Sequence, residues 1–266
     1  MPSSKKLLQA AAGAAGGAGL NIPEVFSVQA YDGNGSSQTI NNGIDLSGEG
    51  GLVWCKQRTG SSSQHALFDT ERGTLKGFSS SSLSASATET SVTSFNSNGF
   101  SLGTFNNTNN QDYISWTFRR AEKFFDVISW DGDGTNAREI SHNLGAVPHM
   151  VITRPYRPST GGWSTLHYDG TTWRHGEINT TDSVGSSPSA YIWGDRSSFI
   201  QPTDSVITVA GPLSGVSDGM NKSGVSYISY LFAHNDGDGT FGPDGDADII
   251  KCGSYTGTGS NTLNEI

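Results

Sequence analysis

Residues 113–134 read YISWTFRRAEKFFDVISWDGDG. Tyr113 to Phe118 alternates and is rich in aromatics, and Phe125 to Trp130 repeats that pattern before the turn Asp131-Gly132-Asp133-Gly134. Alternation of period two is the mark of a strand with one face buried. Both halves recur. The first returns at 227–232 as YISYLF, and the second matches FSVQAYDGNG at 26–35 and IIKCGSYTGTG at 249–259. The stretch therefore joins the end of one structural unit to the start of the next.

The three opening segments place Tyr31, Trp130 and Tyr255 just before turns reading Asp-Gly-Asn-Gly, Asp-Gly-Asp-Gly and Thr-Gly-Thr-Gly. Two glycines at alternate positions supply the positive φ of a tight hairpin, so each turn is expected to close one. Strand candidates follow the first two, at 51–56 (GLVWCK) and 149–154 (HMVITR). A spacing of about 100 residues suits one small domain per unit and exceeds that of solenoid repeats.

Composition agrees with this pattern. Among 266 residues are 35 Gly, 9 Pro, 6 Trp, 8 Tyr and 12 Phe, with only 15% charged, so the polar surface is mostly Ser, Thr and Asn. The expected fold class is all-β: tandem β-sandwich, jelly-roll-like units of short strands behind a short N-terminal arm. A net charge of −9 argues against sequence-independent nucleic-acid binding, whose affinity rests on basic patches. No apolar run approaches the length of a membrane span, so no membrane insertion is expected. Two cysteines, Cys55 and Cys252, make no disulfide framework and read as small buried thiols.

Along the chain, residues 1–23 stand apart, with Lys5-Lys6 followed by Leu-, Ala- and Gly-rich sequence. Gln9 and four glycines weaken the signal-peptide reading, which leaves an attachment arm that orders against a partner. The first unit spans 24–123 and the second 124–235, each closing on its YIS strand. An acidic Gly/Asp linker covers 236–248, and 249–266 is expected to start a third unit that the chain leaves incomplete.

Candidate chemistry is sparse. The two GxSxG matches, around Ser101 and Ser217, lack the strand and helix that flank a hydrolase elbow. The six histidines show no metal-ligand spacing. Asp69, Glu71, Glu139, Asp169 and Glu177 could serve glycoside hydrolysis, but no spacing selects a pair. No catalytic residue is assigned, and the chain reads as no enzyme. Asp236, Asp238, Asp244, Asp246 and Asp248 gather five carboxylates in one loop, a candidate Ca²⁺ set, although Phe241 and Ala247 break the EF-hand pattern. The alternative is a solvated linker extended by its own charge. No other cofactor is implied. Trp163, Trp173 and Trp193 crowd the middle of the second unit and are candidates for glycan contact, the alternative being core packing.

The segments GLVWCKQRTGSSSQHALFDTERG (51–73), SVTSFNSNGFSLG (91–103), DYISWTFRRAEKFFDVISWDGDG (112–134) and HNLGAVPHMVI (142–152) resemble a family of marine bacteriophage structural proteins. These are labelled tail fibre or virion appendage and are common in cyanobacterial phages. The start SSKKLLQAAAGAAGG resembles the N-termini of such proteins. The resemblance implies a virion tail protein, made in the host cytoplasm and carrying no catalytic residue. It would join other tail proteins through Lys5, Lys6, Leu7 and Leu8 and form a homo-oligomer, a trimer by analogy with fibres. Its rival is a lectin-like host-recognition module, calcium-dependent if the acidic loop binds metal, whose partner would be a host surface glycan.

Overall fold

The structure, a computed structural model, describes residues 19–60, 65–74, 76–80, 87–88, 91–158, 161–181, 183–185, 187–212 and 220–255. The attachment residues Lys5, Lys6, Leu7 and Leu8 lie outside them. The chain divides into two compact units, one formed by residues 1–80, 86–127 and 235–250, the other by 81–85, 128–234 and 251–266.

Both units are all-β. In the first, β1 (Phe26–Asp32), β3 (Gly51–Gln57), β4 (Ala66–Asp69), β5 (Lys76–Ser79), β6 (Ala87–Thr88) and β9 (Asp112–Arg119) form a six-stranded sheet in the order β1-β9-β3-β4-β5-β6. β2 (Gln38–Asn41), β7 (Val92–Asn96) and β8 (Gly99–Leu102) form a second sheet, β2-β8-β7. In β9 every second side chain is buried, but the phase is not the apolar one: Tyr113, Ser115, Thr117 and Arg119 are buried while Ile114, Trp116 and Phe118 are only partly so. The buried set comes from both sheets: Tyr31, Val53, Cys55, Phe68 and Tyr113 from one, Ile40, Val92, Phe100 and Leu102 from the other. Two sheets closing on one apolar layer make a sandwich.

The second unit has the same plan. Its large sheet runs β10-β16-β12-β13-β14, from β10 (Phe125–Asp131), whose first residues up to Val127 fall in the first unit, β12 (Met150–Arg157), β13 (Ser164–Tyr168), β14 (Trp173–Glu177) and β16 (Ser226–Phe232). Its small sheet pairs β11 (Arg138–Ser141) with β15 (Val206–Val209). Taken in order, β1, β9, β3, β4 and β5 correspond to β10, β16, β12, β13 and β14, while β2 and β8 correspond to β11 and β15. The registers agree. Cys55 faces Ser115 as Thr153 faces Ser229, and in the latter pair the two hydroxyls are bonded to each other.

The Asp-Gly-x-Gly turns do not close hairpins. β1 pairs with β9 and β2 with β8, so the chain changes sheets at the turn. An asparagine from the loop before the closing strand holds each corner. Asn34 N–H donates to Asn107 Oδ1 at 3.0 Å, and Asn107 Nδ2 donates to Asn34 Oδ1 at 3.1 Å and to Gly103 O at 2.8 Å. In the second unit Asp133 N–H donates to Asn221 Oδ1 at 3.3 Å, and Asn221 Nδ2 donates to Asp133 Oδ1 at 2.6 Å. Both asparagines are fully buried. Closing-strand tyrosines complete the brace. Tyr113 stacks on Tyr31 at 5.3 Å and its hydroxyl accepts from Thr108 N–H, while Tyr227 stacks on Trp130 at 5.2 Å and accepts from Lys222 N–H. The turn glycines are needed for two different reasons. A Cβ on Gly33 or Gly132 would sit 2.1 or 2.0 Å from the carbonyl oxygen of Thr108 or Lys222, whereas Gly35 and Gly134 have φ of 69° and 81°.

The expected third opening strand is not formed at 249–255. Ile249 and Ile250 N–H donate instead to Asn235 Oδ1, at 3.0 and 3.2 Å, and Cys252 N–H donates to His234 Nδ1 at 3.0 Å. Tyr255, the supposed counterpart of Tyr31 and Trp130, is 70% exposed. It pairs with no strand among the described residues.

Candidate functional site

The acidic loop is a folded part of the first unit. Phe241 is buried and meets Phe124 edge-on at 6.3 Å, while a bridge between Phe241 and Ala247 closes the loop. Two of its carboxylates accept from its own backbone. Asp248 accepts from Gly237 and Gly239 N–H, each at 2.9 Å, and Asp238 accepts from Asp236 N–H at 3.2 Å and lies 3.6 Å from Lys123 Nζ. Among the described residues no group of three or more His, Cys, Asp or Glu side chains is arranged to hold a metal ion. Asp236, Asp238, Asp244, Asp246 and Asp248 are thus close in sequence without converging. The loop's turns at Gly237, Gly242 and Gly245 use positive φ and keep changing the chain's direction.

The three tryptophans singled out for glycan contact are core. Trp163 is 0%, Trp173 6% and Trp193 1% exposed, so none presents a ring face to a sugar. Trp163 lies between the Arg154 guanidinium, 4.9 Å from its ring centre, and Tyr230, 6.3 Å away. Trp173 packs on Tyr168 and Phe199.

Of the carboxylates weighed for hydrolysis, Asp69, Glu71 and Asp169 are each held by an arginine. Asp69 forms a fully buried ion pair with Arg72 at 2.6 Å, and Arg72 also donates to the carbonyls of Leu67 and Lys76 and covers the Phe78 ring at 3.7 Å. Glu71 pairs with Arg120 at 2.5 Å. Asp169 is held well below the usual carboxylate range by its bond from Arg174 Nε at 2.7 Å and then by the Thr171 hydroxyl. Ser101 lies within β8, where its hydroxyl contacts Thr39 Oγ1 and Asn96 Nδ2, and no elbow forms there; Ser217 lies outside the described residues.

The polar recess of the first unit is a cavity of about 530 Å³ lined by Glu24, Gly43, Asp45, Glu49, Ser97, Asn98 and Arg119. Two one-turn helices shape it. Glu24 caps the helix Ile22–Val25 by accepting from Asn21 N–H at 2.8 Å, and Asp45 caps Leu46–Glu49 by accepting from Gly48 N–H at 2.8 Å. Arg119, the last residue of β9, has a side chain only 9% exposed. It donates to Glu24 O at 3.4 Å and stands 3.6 Å from Glu49 Oε1, and its Nε has no hydrogen-bond partner. Ser97 is the one hydroxyl in this lining, with no histidine, cysteine or lysine beside it. The recess is lined by the carboxylates of Glu24, Asp45 and Glu49 and by one buried cation, Arg119.

Sequence reasoning missed Arg119, the two bracing asparagines, and the roles of His167 and His234. A signal for the asparagines was present, since Asn107 stands six residues before Tyr113 and Asn221 six before Tyr227. None existed for Arg119, whose counterpart in the second unit is Ala233.

Fold and sites together define a duplicated β-sandwich protein whose polar side chains mostly brace the repeat. The chain belongs to the DUF7483 family, described as a domain of unknown function, whose family model matches residues 23–263. No curated protein and no solved structure matches it.

Proposed function

We propose that this chain is a non-enzymatic structural protein of a bacteriophage particle, a tail fibre or tail-associated appendage, joined to the particle through residues 1–23. The observation that carries the reading is the duplication. One sandwich plan is used twice, with the same corner brace, the same stacked aromatic pair and the same register. Doubling a stiff β unit lengthens a scaffold without creating a new active centre, and appendages that resist shear and proteolysis are built that way. The sequence resemblance over four segments supplies the particle. Lys5 and Lys6 would pair with acidic groups on a neighbouring tail protein, and Leu7 and Leu8 would anchor against it.

The test is immuno-electron microscopy of intact particles with antibodies to the second unit. Gold at the tail or its fibres is the expected outcome, and label confined to host debris overturns the reading. Deleting residues 2–20 should leave both units folded and remove the label from particles, whereas unchanged labelling would refute the attachment role.

A further inference from the structure

Two histidines of the second unit bind one short segment of backbone: the His234 bond requires a neutral ring, and the His167 bond leaves the ring's other nitrogen buried without a partner. Cys252 N–H points at His234 Nδ1 at 3.0 Å, so that nitrogen must be the unprotonated acceptor. Gly253 O lies 3.2 Å from His167 Nε2, and a carbonyl only accepts, so the His167 proton is on Nε2. Its Nδ1 is then bare, and it is buried without a hydrogen-bond partner. Ser254 Oγ adds a bond to Asp169 O at 3.3 Å. Residues 252–254 form no strand, so these side-chain bonds tie them down.

We propose that 252–254 is an acid-released strap, latched by neutral His234 and His167 and freed when the two rings take up protons. Protonating His234 turns its acceptor into a donor that faces another N–H, so the bond becomes a repulsion. Protonating His167 places an N–H in a buried position that offers no acceptor. The surroundings resist holding the charge in place. His149 stacks on His234 with ring centres 4.6 Å apart, Tyr168 meets His149 edge-on, and Arg174 stands opposite His167 across the β13–β14 register with its guanidinium committed to Asp169. The Cys252 thiol donates to Ala233 O at 3.5 Å, and Lys251 precedes it in the chain. Burial pushes that thiol up to about 11, so it stays neutral between about pH 5 and pH 8. The cheapest response to protonation is for the strap to leave, letting both rings reach water.

Amide hydrogen exchange read by mass spectrometry on the peptide spanning 251–255, with rates divided by the intrinsic rate at each pH, tests the proposal on the full chain. Protection should fall by at least about tenfold between about pH 8 and pH 5, while β9 and β16 stay protected. Equal protection at both pH values overturns it. The variant His234→Asn with His167→Gln keeps an acceptor and a donor in those places and cannot take up a proton. It should hold the strap at both pH values, and a pH response as large as the native one would refute the assignment of the two rings. The native titration stands alone as a test should the variant fail to fold.

Discussion

Asn221 reaches back 88 residues to Asp133 and bonds it in both directions, side chain to side chain at 2.6 Å and backbone to side chain at 3.3 Å. The partner of Asn107 is Asn34, so one unit makes this contact with a carboxylate and the other with an amide. The brace therefore works through geometry, with charge a local variation.

Asn107→Ala and Asn221→Ala should each lower stability by about 1–3 kcal/mol, because a fully buried side chain is lost and the part-buried corner groups it bonds lose that partner. Urea denaturation followed by tryptophan fluorescence measures the loss. A change within about 0.5 kcal/mol would mean that the corner is held by something else.

Gly33→Ala and Gly132→Ala should destabilise as well, by about 2 kcal/mol or more, since the added methyl would meet a carbonyl oxygen of the main chain, which cannot rotate away. Gly73→Ala is the control. No atom stands within 4 Å of its would-be Cβ, so only the strain of a φ of 81° remains, a smaller cost.

Stability should fall with acid below about pH 4. Asp133 is drawn down to about 2, first by the Thr135 hydroxyl and then by Thr135 N–H, and Asp195 is lowered chiefly by the Ser197 hydroxyl. Asp169 moves the same way through Arg174. Because these folded-state values lie below the unfolded ones, the unfolded chain takes up protons first. The contribution is complete above the unfolded value and is lost as pH drops through it towards the folded one. Asp133→Asn copies the amide that the first unit uses and should fold normally at neutral pH with a shallower loss in acid. Thermal melts between about pH 7 and pH 2 give both slopes, and an unchanged slope would remove Asp133 from the account.

Trp163→Ala should cost about 3–5 kcal/mol through the cavity it leaves and through exposing the Arg154 guanidinium that it covers. Binding of any glycan should not track this residue. A folded variant that selectively lost glycan binding would contradict its placement in the core.

Much of the fold was legible. YISWTF, FFDVISW and YISYLF read as strands and strands form there, but the expectation of one buried face fails: β16 is buried on both faces, β10 is buried at four consecutive positions, and β9 buries Ser115 and Thr117 more fully than Ile114, Trp116 and Phe118. The repeat was visible in the same segments. The hairpin reading failed at Asp-Gly-x-Gly because local turn chemistry shows that the chain bends but not which strand it then joins. That choice is made by Asn107 and Asn221, more than 70 residues away. The tryptophans misled for a related reason, since an indole beside loop glycines reads the same whether a second sheet covers it or water does. In the acidic loop, the five aspartates are close in sequence but no three of them gather as a metal site among the described residues, and Asp248 turns inward to cap glycine N–H groups.

A chain built into a virus particle, as proposed here, must travel with the particle at a constant ratio. Quantitative mass spectrometry of particles banded to constant density, with and without a protease wash, tests it most directly. The prediction is a fixed stoichiometry to the major tail proteins that survives the wash, with peptides from both units retained. Loss of the chain from banded particles, or a ratio that varies between preparations, would contradict it.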